Sequence, residues 1–374
     1  MNQYFATVAR GLEHLAAQEL EQLGAKTVTP GFCGVAFEGD RPLLYRINLW
    51  ARLPFRILVK LQEFACEDAE DLYRGIQAID WSNYLTPDFT LAVNATGKSD
   101  RLNHTHFTAL QVKNAIVDQQ QATQGDRSNV DTQEPDVQIS VHIDRDRCTV
   151  SLNSSGSSLH RRGYRPAVGA APLKESLAAA LIQLSGWQPD LTFYDPLCGS
   201  GTLPLEASLK ALNVAPGLFR DRFGFETWPD FDPMLWASLV QDAKASQRHD
   251  LDVSIGGSDR NGEVVEQAIV NAQNCGVANH VWFAEMDLAD VSAPAASGVV
   301  FCNPPYGERL GQDTDLGKFY KLLGDVLKQR FKGWTAFVLS GNRSLSQSIG
   351  LKSAQRFNVL NGALPCQLMK YELY

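Results

Sequence analysis

Hydrophobic and polar positions alternate in two ways along the chain. Up to about residue 152, short runs of period two are interleaved with stretches of helical period. Residues 5–9 read as a strand, and 12–24 as a helix stopped by Gly24 at its C-terminal end. A strand over 33–39, a helix over 42–51, a strand over 55–64 and a helix over 69–79 follow. Next come a strand over 89–97, a helix over 105–121, and two strands, 137–143 and 148–155, meeting in a turn at 144–147. Residues 123–136 are polar and rich in turn formers, which predicts an exposed loop. Strands and helices mixed in this way predict one or two small α+β modules.

Beyond the basic segment RRGYRP the pattern changes. A helix over 173–187, with Gly186 near its end, precedes a short strand at 191–195 and a glycine-bearing turn. A helix over 203–213, a strand over 253–259, a helix over 261–276 and a strand over 281–287 continue the alternation. The apolar run from 298 ends in Asn-Pro-Pro-Tyr, and a helix over 316–331 and a strand over 335–341 follow it. Regular strand–helix alternation predicts a doubly wound parallel sheet. The final runs, 356–362 and 367–374, read as two strands, one of them an antiparallel edge.

Composition narrows the function classes. At 374 residues the chain is long enough for two or three domains, and 44% hydrophobic residues supply ample core. No apolar run approaches the ~20 residues that span a bilayer. The start has neither a basic nor an apolar leader segment, so the expectation is no secretory signal and a cytoplasmic enzyme with no membrane partner. Seven scattered cysteines without a Cys-x-x-Cys pair predict neither a disulfide framework nor a metal site. The net charge is −8, with 17 basic and 20 acidic side chains in residues 1–165 and 17 and 22 thereafter. Any nucleic-acid surface must therefore be a local patch. Arg161, Arg162 and Arg165, with Tyr164 between them, are the best candidate, and a solvated linker turn is the alternative.

Three motifs carry candidate chemistry. The first is Asp195-Pro196-Leu197-Cys198-Gly199-Ser200-Gly201-Thr202, between a strand and a helix. Its glycines permit positive φ and close approach of backbone, and the following helix offers unpaired N–H groups. Pro204 occupies the third glycine position of a dinucleotide fingerprint, which weakens an NAD reading, and the absence of Gly-Lys-Ser/Thr excludes a P-loop. The second is a pair of strand-ending carboxylates, Asp259 and Asp287. Each could hold a ribose diol or an adenine amine, or could cap the following turn. The third is Asn303-Pro304-Pro305-Tyr306. The Asn303 side-chain oxygen and the Pro304 carbonyl can both accept from one exocyclic amine, with Tyr306 as a stacking face worth about 1–3 kcal/mol.

In this order the motifs resemble those of class I S-adenosylmethionine-dependent methyltransferases acting on amino groups. The extended NPPYGERLG, the upstream APLKESLAAAL and the RRGYR segment are similar to the bacterial 23S rRNA guanine-N2-methyltransferases, often labelled N6-adenine-specific DNA methylases for their NPPY alone. Bifunctional members carry a second methyltransferase domain, and the resemblance here covers the first. It implies a Rossmann-like class I methyltransferase domain (α/β, residues 170–374) after an α+β ferredoxin-like segment (1–60), a THUMP RNA-binding domain (61–155) and a linker (156–169). It further implies S-adenosylmethionine as cofactor, held by Asp195, Cys198, Gly199, Ser200, Gly201, Thr202, Asp259, Asp287 and Asn303. Asn303, Pro304 and Tyr306 would be catalytic, with no metal and no covalent enzyme intermediate. The implied partner is RNA, 23S rRNA ahead of tRNA, touched by Lys98, Arg101, Lys113, Arg161, Arg162 and Arg165. A tRNA guanine-N2-methyltransferase, an N6-adenine DNA methyltransferase and a non-catalytic RNA-binding protein are the alternatives. Cys198 and Cys302 read as buried small side chains.

Overall fold

The period-two segments of the N-terminal half pair into one seven-stranded sheet in the computed structural model of the chain, which describes residues 1–165, 173–305 and 316–374. The elements are β1 (Asn2–Thr7), α1 (Glu13–Gln22), β2 (Lys26–Gly31), β3 (Gly34–Gly39), α2 (Arg41–Trp50), β4 (Arg56–Ala65), α3 (Ala69–Gln77), β5 (Leu91–Lys98), α4 (Thr105–Gln124), β6 (Val137–Asp144) and β7 (Arg147–Asn153). Their order is β2-β3-β1-β4-β7-β6-β5, with only β5 and β6 parallel. β4 pairs with β1 (Tyr4↔Val59) and with β7 (Lys60↔Ser151), so the divide expected between residues 60 and 61 falls inside a strand.

Local chemistry explains the element ends. Asp40 caps α2 by accepting from the Leu43 N–H, and Asp68 caps α3 by accepting from Glu70 and Asp71. α4 stops at Gly125, whose φ of 76° is the left-handed conformation glycine adopts without strain. The expected turn at 144–147 is a two-residue hairpin connection with Arg145 at φ 56°. Leu72 and Ile76 of α3, with Val112 and Ile116 of α4, are buried against Ile139, Val141 and Val150 of the sheet.

Two segments fold outside their place in the chain. The first unit comprises Met1–Val8, Ala16–Leu159 and Arg220–Val240; the second comprises Ala9–Leu15, His160–Phe219 and Gln241–Tyr374. Residues 220–240 join the first unit through aromatic packing, with Phe225 stacked on Tyr45 at 4.4 Å and the Asp232 N–H donating to the Tyr45 hydroxyl at 3.0 Å.

The second unit carries the alternating pattern: α5 (Glu175–Ser185), β8 (Phe193–Asp195), α6 (Thr202–Ala211), α7 (Pro233–Ala245, begun in the first unit), β9 (Ile255–Asp259), α8 (Gly262–Asn274), β10 (Trp282–Glu285), β11 (Val299–Cys302), α9 (Leu316–Arg330), β12 (Thr335–Ser340), α10 (Arg343–Ser348), β13 (Gln355–Asn361) and β14 (Leu364–Glu372). The sheet runs β10-β9-β8-β11-β12-β14-β13. The five strands from β10 to β12 are parallel, whereas β14 is antiparallel to β12 and to β13. Both terminal strands are thus antiparallel, and β13, not the last strand, is the edge. The central strands β8, β9, β11 and β12 are buried along nearly their whole length because both of their faces are covered. Strand order reverses between β8 and β11, the point where open α/β sheets bind ligands beyond the carboxyl ends of their strands. Among the described residues no helix is long and apolar enough to cross a membrane.

Candidate active site

Four neighbouring strands deliver the predicted motifs to one cavity of about 500 Å³ in the second unit. It is lined by residues of the turn after β8 (Asp195, Cys198, Gly199, Ser200, Thr202), by Asp259 at the end of β9, by Asp287 beyond β10, and by Asn303 and Pro305 beyond β11. Gly201 does not line it. This glycine begins α6 at φ 84°, where an added Cβ would stand 2.8 Å from the Phe283 ring and 3.0 Å from the Ala268 Cβ. It lets the helix start close beneath its neighbours. Gly199, at φ 51°, has no atom within 4 Å of an added Cβ, so it leaves open space beside the cavity.

A hydrogen-bond lattice fixes the turn. Asp195 accepts from the Leu197 N–H (2.9 Å), the Cys198 N–H donates to the Ser258 carbonyl (2.9 Å), and the Gly199 N–H donates to Asp259 Oδ2 (3.0 Å). Asp259 Oδ1 accepts from the Asn261 N–H at 3.1 Å. The cap of α8 is Asn261, so Asp259 spans the two motifs. Asp287 does cap the short turn after it, accepting from the Ala289 N–H at 2.9 Å, while still lining the cavity. Each carboxylate oxygen so used keeps a second lone pair for a ligand.

Burial, reinforced by the Asp259 charge, pushes the Asp195 carboxyl well above the usual carboxylate range despite the Leu197 N–H. Burial and the same two carboxylates push the Cys198 thiol up, and burial does so for Cys302. Neither is a thiolate, so both are inert packing groups. Burial holds the Tyr194 phenol, bonded to Ser258 at 2.6 Å, at about 12.

Asn303 leaves a polar atom of the cavity wall unsatisfied. Its Oδ1 is buried and, among the described residues, has no hydrogen-bond partner. A buried acceptor left in this state costs about 1–3 kcal/mol, which a ligand N–H in the cavity removes. Pro304 is buried between the two lining residues. Tyr306 and the remainder of its motif to residue 315 lie outside the described residues.

The basic segment needs correction. Arg162 is 1% exposed and pairs with buried Glu206, which also accepts from the Tyr164 hydroxyl at 3.2 Å. Arg165 is mostly buried, pairing with Glu175 at 2.9 Å and donating to Thr202 Oγ1 at 2.8 Å. These two arginines brace the start of α6, which takes Arg162 out of reach of RNA and leaves Arg165 only partly accessible; only Arg161 of the three is exposed. In the first unit Lys98 is exposed at the end of β5, Arg101 is exposed and pairs with Asp68 at 3.3 Å, and Lys113 is half-buried on α4. Sequence reasoning missed further cavity walls: Leu173, Arg260, Val264, and Phe319 and Leu322 of α9. The i, i+3 spacing of the last pair places them on one helix face, but nothing in the spacing distinguishes a cavity wall from core.

Comparison with known proteins agrees with this geometry. Residues 162–370 match the RMKL-like methyltransferase domain family, 66–153 the THUMP domain, and 3–58 the RlmL ferredoxin-like domain. A Synechocystis sp. protein named "Putative RNA methyltransferase slr0064" is 58% identical over 99% of this chain and 97% of its own length. The ribosomal RNA large subunit methyltransferase K/L of Syntrophotalea carbinolica is 40% identical over 99% of this chain, which spans only 53% of that protein. The crystal structure of SMU.472, "a putative methyltransferase complexed with SAH", superposes with a TM-score of 0.89 at 33% identity, covering 100% of this chain and 98% of that one. On the family match and the shared fold, the chain belongs to the RMKL-like methyltransferase family.

Proposed function

We propose that the chain is an S-adenosylmethionine-dependent methyltransferase that modifies the exocyclic N2 amine of a guanosine in RNA, 23S rRNA ahead of tRNA. The observation that carries this reading is Asn303, which lines the same cavity as the glycine turn and whose buried Oδ1 has no hydrogen-bond partner among the described residues. The THUMP match and the names of the relatives support RNA as the substrate. The SAH complex of the structural relative supports the donor.

The residues present fit that donor. The Asp195–Thr202 turn would hold its amino-acid end, Asp259 its ribose diol and Asp287 its adenine. When bound, it supplies a methyl group already activated on a sulfonium. The protein must then place the amine in line with that methyl and exclude water, which is catalysis by proximity and orientation. Asn303 Oδ1 and the Pro304 carbonyl accept the amine's N–H groups and stabilise the positive charge that grows on nitrogen. A guanine amine is delocalised into its ring and needs that help. The target base must be unpaired or flipped out to enter.

The test is nucleoside analysis of 23S rRNA, tRNA and DNA from a strain lacking the protein, beside its parent. Loss of N2-methylguanosine from 23S rRNA is the expected result. Unchanged RNA, with N6-methyladenine lost from DNA, would overturn the reading.

A further inference from the structure

A second cavity, of about 480 Å³, lies in the same unit along the sheet edge that carries the active site. Its walls come from the carboxyl end of β12 (Ser340), the facing ends of β14 and β13 (Gln367, Asn358), α10 (Arg343, Ser346) and Arg10. β12 is the direct neighbour of β11, whose end carries Asn303. With strands roughly 5 Å apart, the cavity spans about 5–15 Å of edge beyond the target amine.

The chemistry of the edge changes sign across Asn303. On the side of β8, β9 and β10 stand the three carboxylates Asp195, Asp259 and Asp287 against one cation, Arg260. On the other side the cavity is lined by two arginines and four neutral hydrogen-bonding side chains, with no carboxylate among the described residues that line it. That is unusual in a chain of net charge −8. Next to Arg10 the chain turns at Gly11, whose φ of 90° suits glycine and where an added Cβ would stand 3.6 Å from the Asn358 carbonyl oxygen. Carboxylates repel a phosphodiester, and a cavity with two arginines in its wall attracts one.

We propose that this cavity, lined by Arg10 and Arg343, binds a backbone phosphate of the RNA within one or two nucleotides of the base presented to Asn303. The inference rests on the functional reading above and adds where the substrate strand runs: from the active site across β12 towards β13. Arginine is suited to the task because its planar fork can pair two phosphate oxygens at once. Gln367 donates to Asn358 Oδ1 at 2.9 Å, and the remaining amide groups of this pair offer neutral hydrogen bonds to the ribose.

The test uses the full chain and its variants Arg343→Glu, Arg10→Glu and Arg343→Lys. Methyl transfer to RNA is followed over several salt concentrations, and donor affinity is measured by calorimetry. Either charge reversal should raise the KM for RNA by roughly 10-fold or more. It should also lower the salt slope of kcat/KM by about one, as expected for one lost phosphate contact. Donor affinity should not move, and Arg343→Lys, which keeps the charge but loses the fork, should raise the KM by less than Arg343→Glu does. Wild-type KM and salt slope in both glutamate variants, in proteins that still bind the donor, would overturn the phosphate site and leave the functional reading standing. A wild-type chain that transfers no methyl to any RNA would overturn both.

Discussion

Asn303 and Asp195 occupy the ends of adjacent strands, and they call for different experiments. Asn303→Ala should leave donor affinity near wild type while methyl transfer falls by at least ~100-fold, the scale for losing one oriented polar group. Equal losses in binding and turnover would make Asn303 structural. Asp195 carries a pH signature. Burial holds its carboxyl above the ordinary carboxylate range, and a cationic donor prefers the ionised form. Donor affinity should therefore rise as pH climbs through the raised value, and Asp195→Asn should flatten the profile. The stability contribution has the opposite sense: it is full below the ordinary carboxylate range and is lost as pH rises through the raised value. Arg162 illustrates what sequence reading cannot see. Its pattern suited a nucleic-acid patch, but only the fold brings Glu206 to it, 44 residues on. Arg162→Ala should cost about 3–5 kcal/mol in denaturant unfolding, because it strands a buried carboxylate. Wild-type stability with impaired RNA binding would contradict that.

At the scale of elements, the strand–turn–helix that carries the donor motif was legible because glycine, proline and a strand's end leave local marks. The two glycines of the turn act differently, and substitution should separate them. Gly201→Ala meets the Phe283 ring and Ala268, so it should lose about 1–3 kcal/mol of stability. Gly199→Ala meets nothing within 4 Å, so beyond the cost of its backbone conformation its loss should appear in donor affinity. Thermal unfolding and calorimetry on both variants check the contrast, and a reversed order would refute it. The elements that escaped notice are weakly patterned. β2 is a mostly exposed strand containing Pro30, α10 has no buried residue, and α7 buries only Ala243. Their periodicity is faint because packing on one face hardly constrains them.

Across the whole molecule, local pattern correctly divided the chain into an α+β part and a doubly wound part, since each has its own hydrophobic period. It could not show that residues 9–15 and 220–240 fold with the unit from which the chain order separates them. Those exchanges depend on long-range packing, such as Tyr45 on Phe225, with no local signature. One consequence is practical: a fragment beginning at residue 160 lacks Arg10, and the second unit is complete only in the full chain. The acidic balance also limits the number of phosphate contacts. Methyl transfer to RNA should accordingly show a shallow salt dependence, because the slope scales with the phosphates neutralised. A steep slope would point to a basic surface that the described residues do not display.

The most direct measurement follows labelled methyl transfer by the full chain and by Asn303→Ala, with RNA and DNA supplied together and the labelled nucleoside identified. Label in RNA as N2-methylguanosine, lost in Asn303→Ala while donor binding persists, is the predicted result. Label in DNA or on adenine, or label in RNA undiminished by Asn303→Ala, would contradict it.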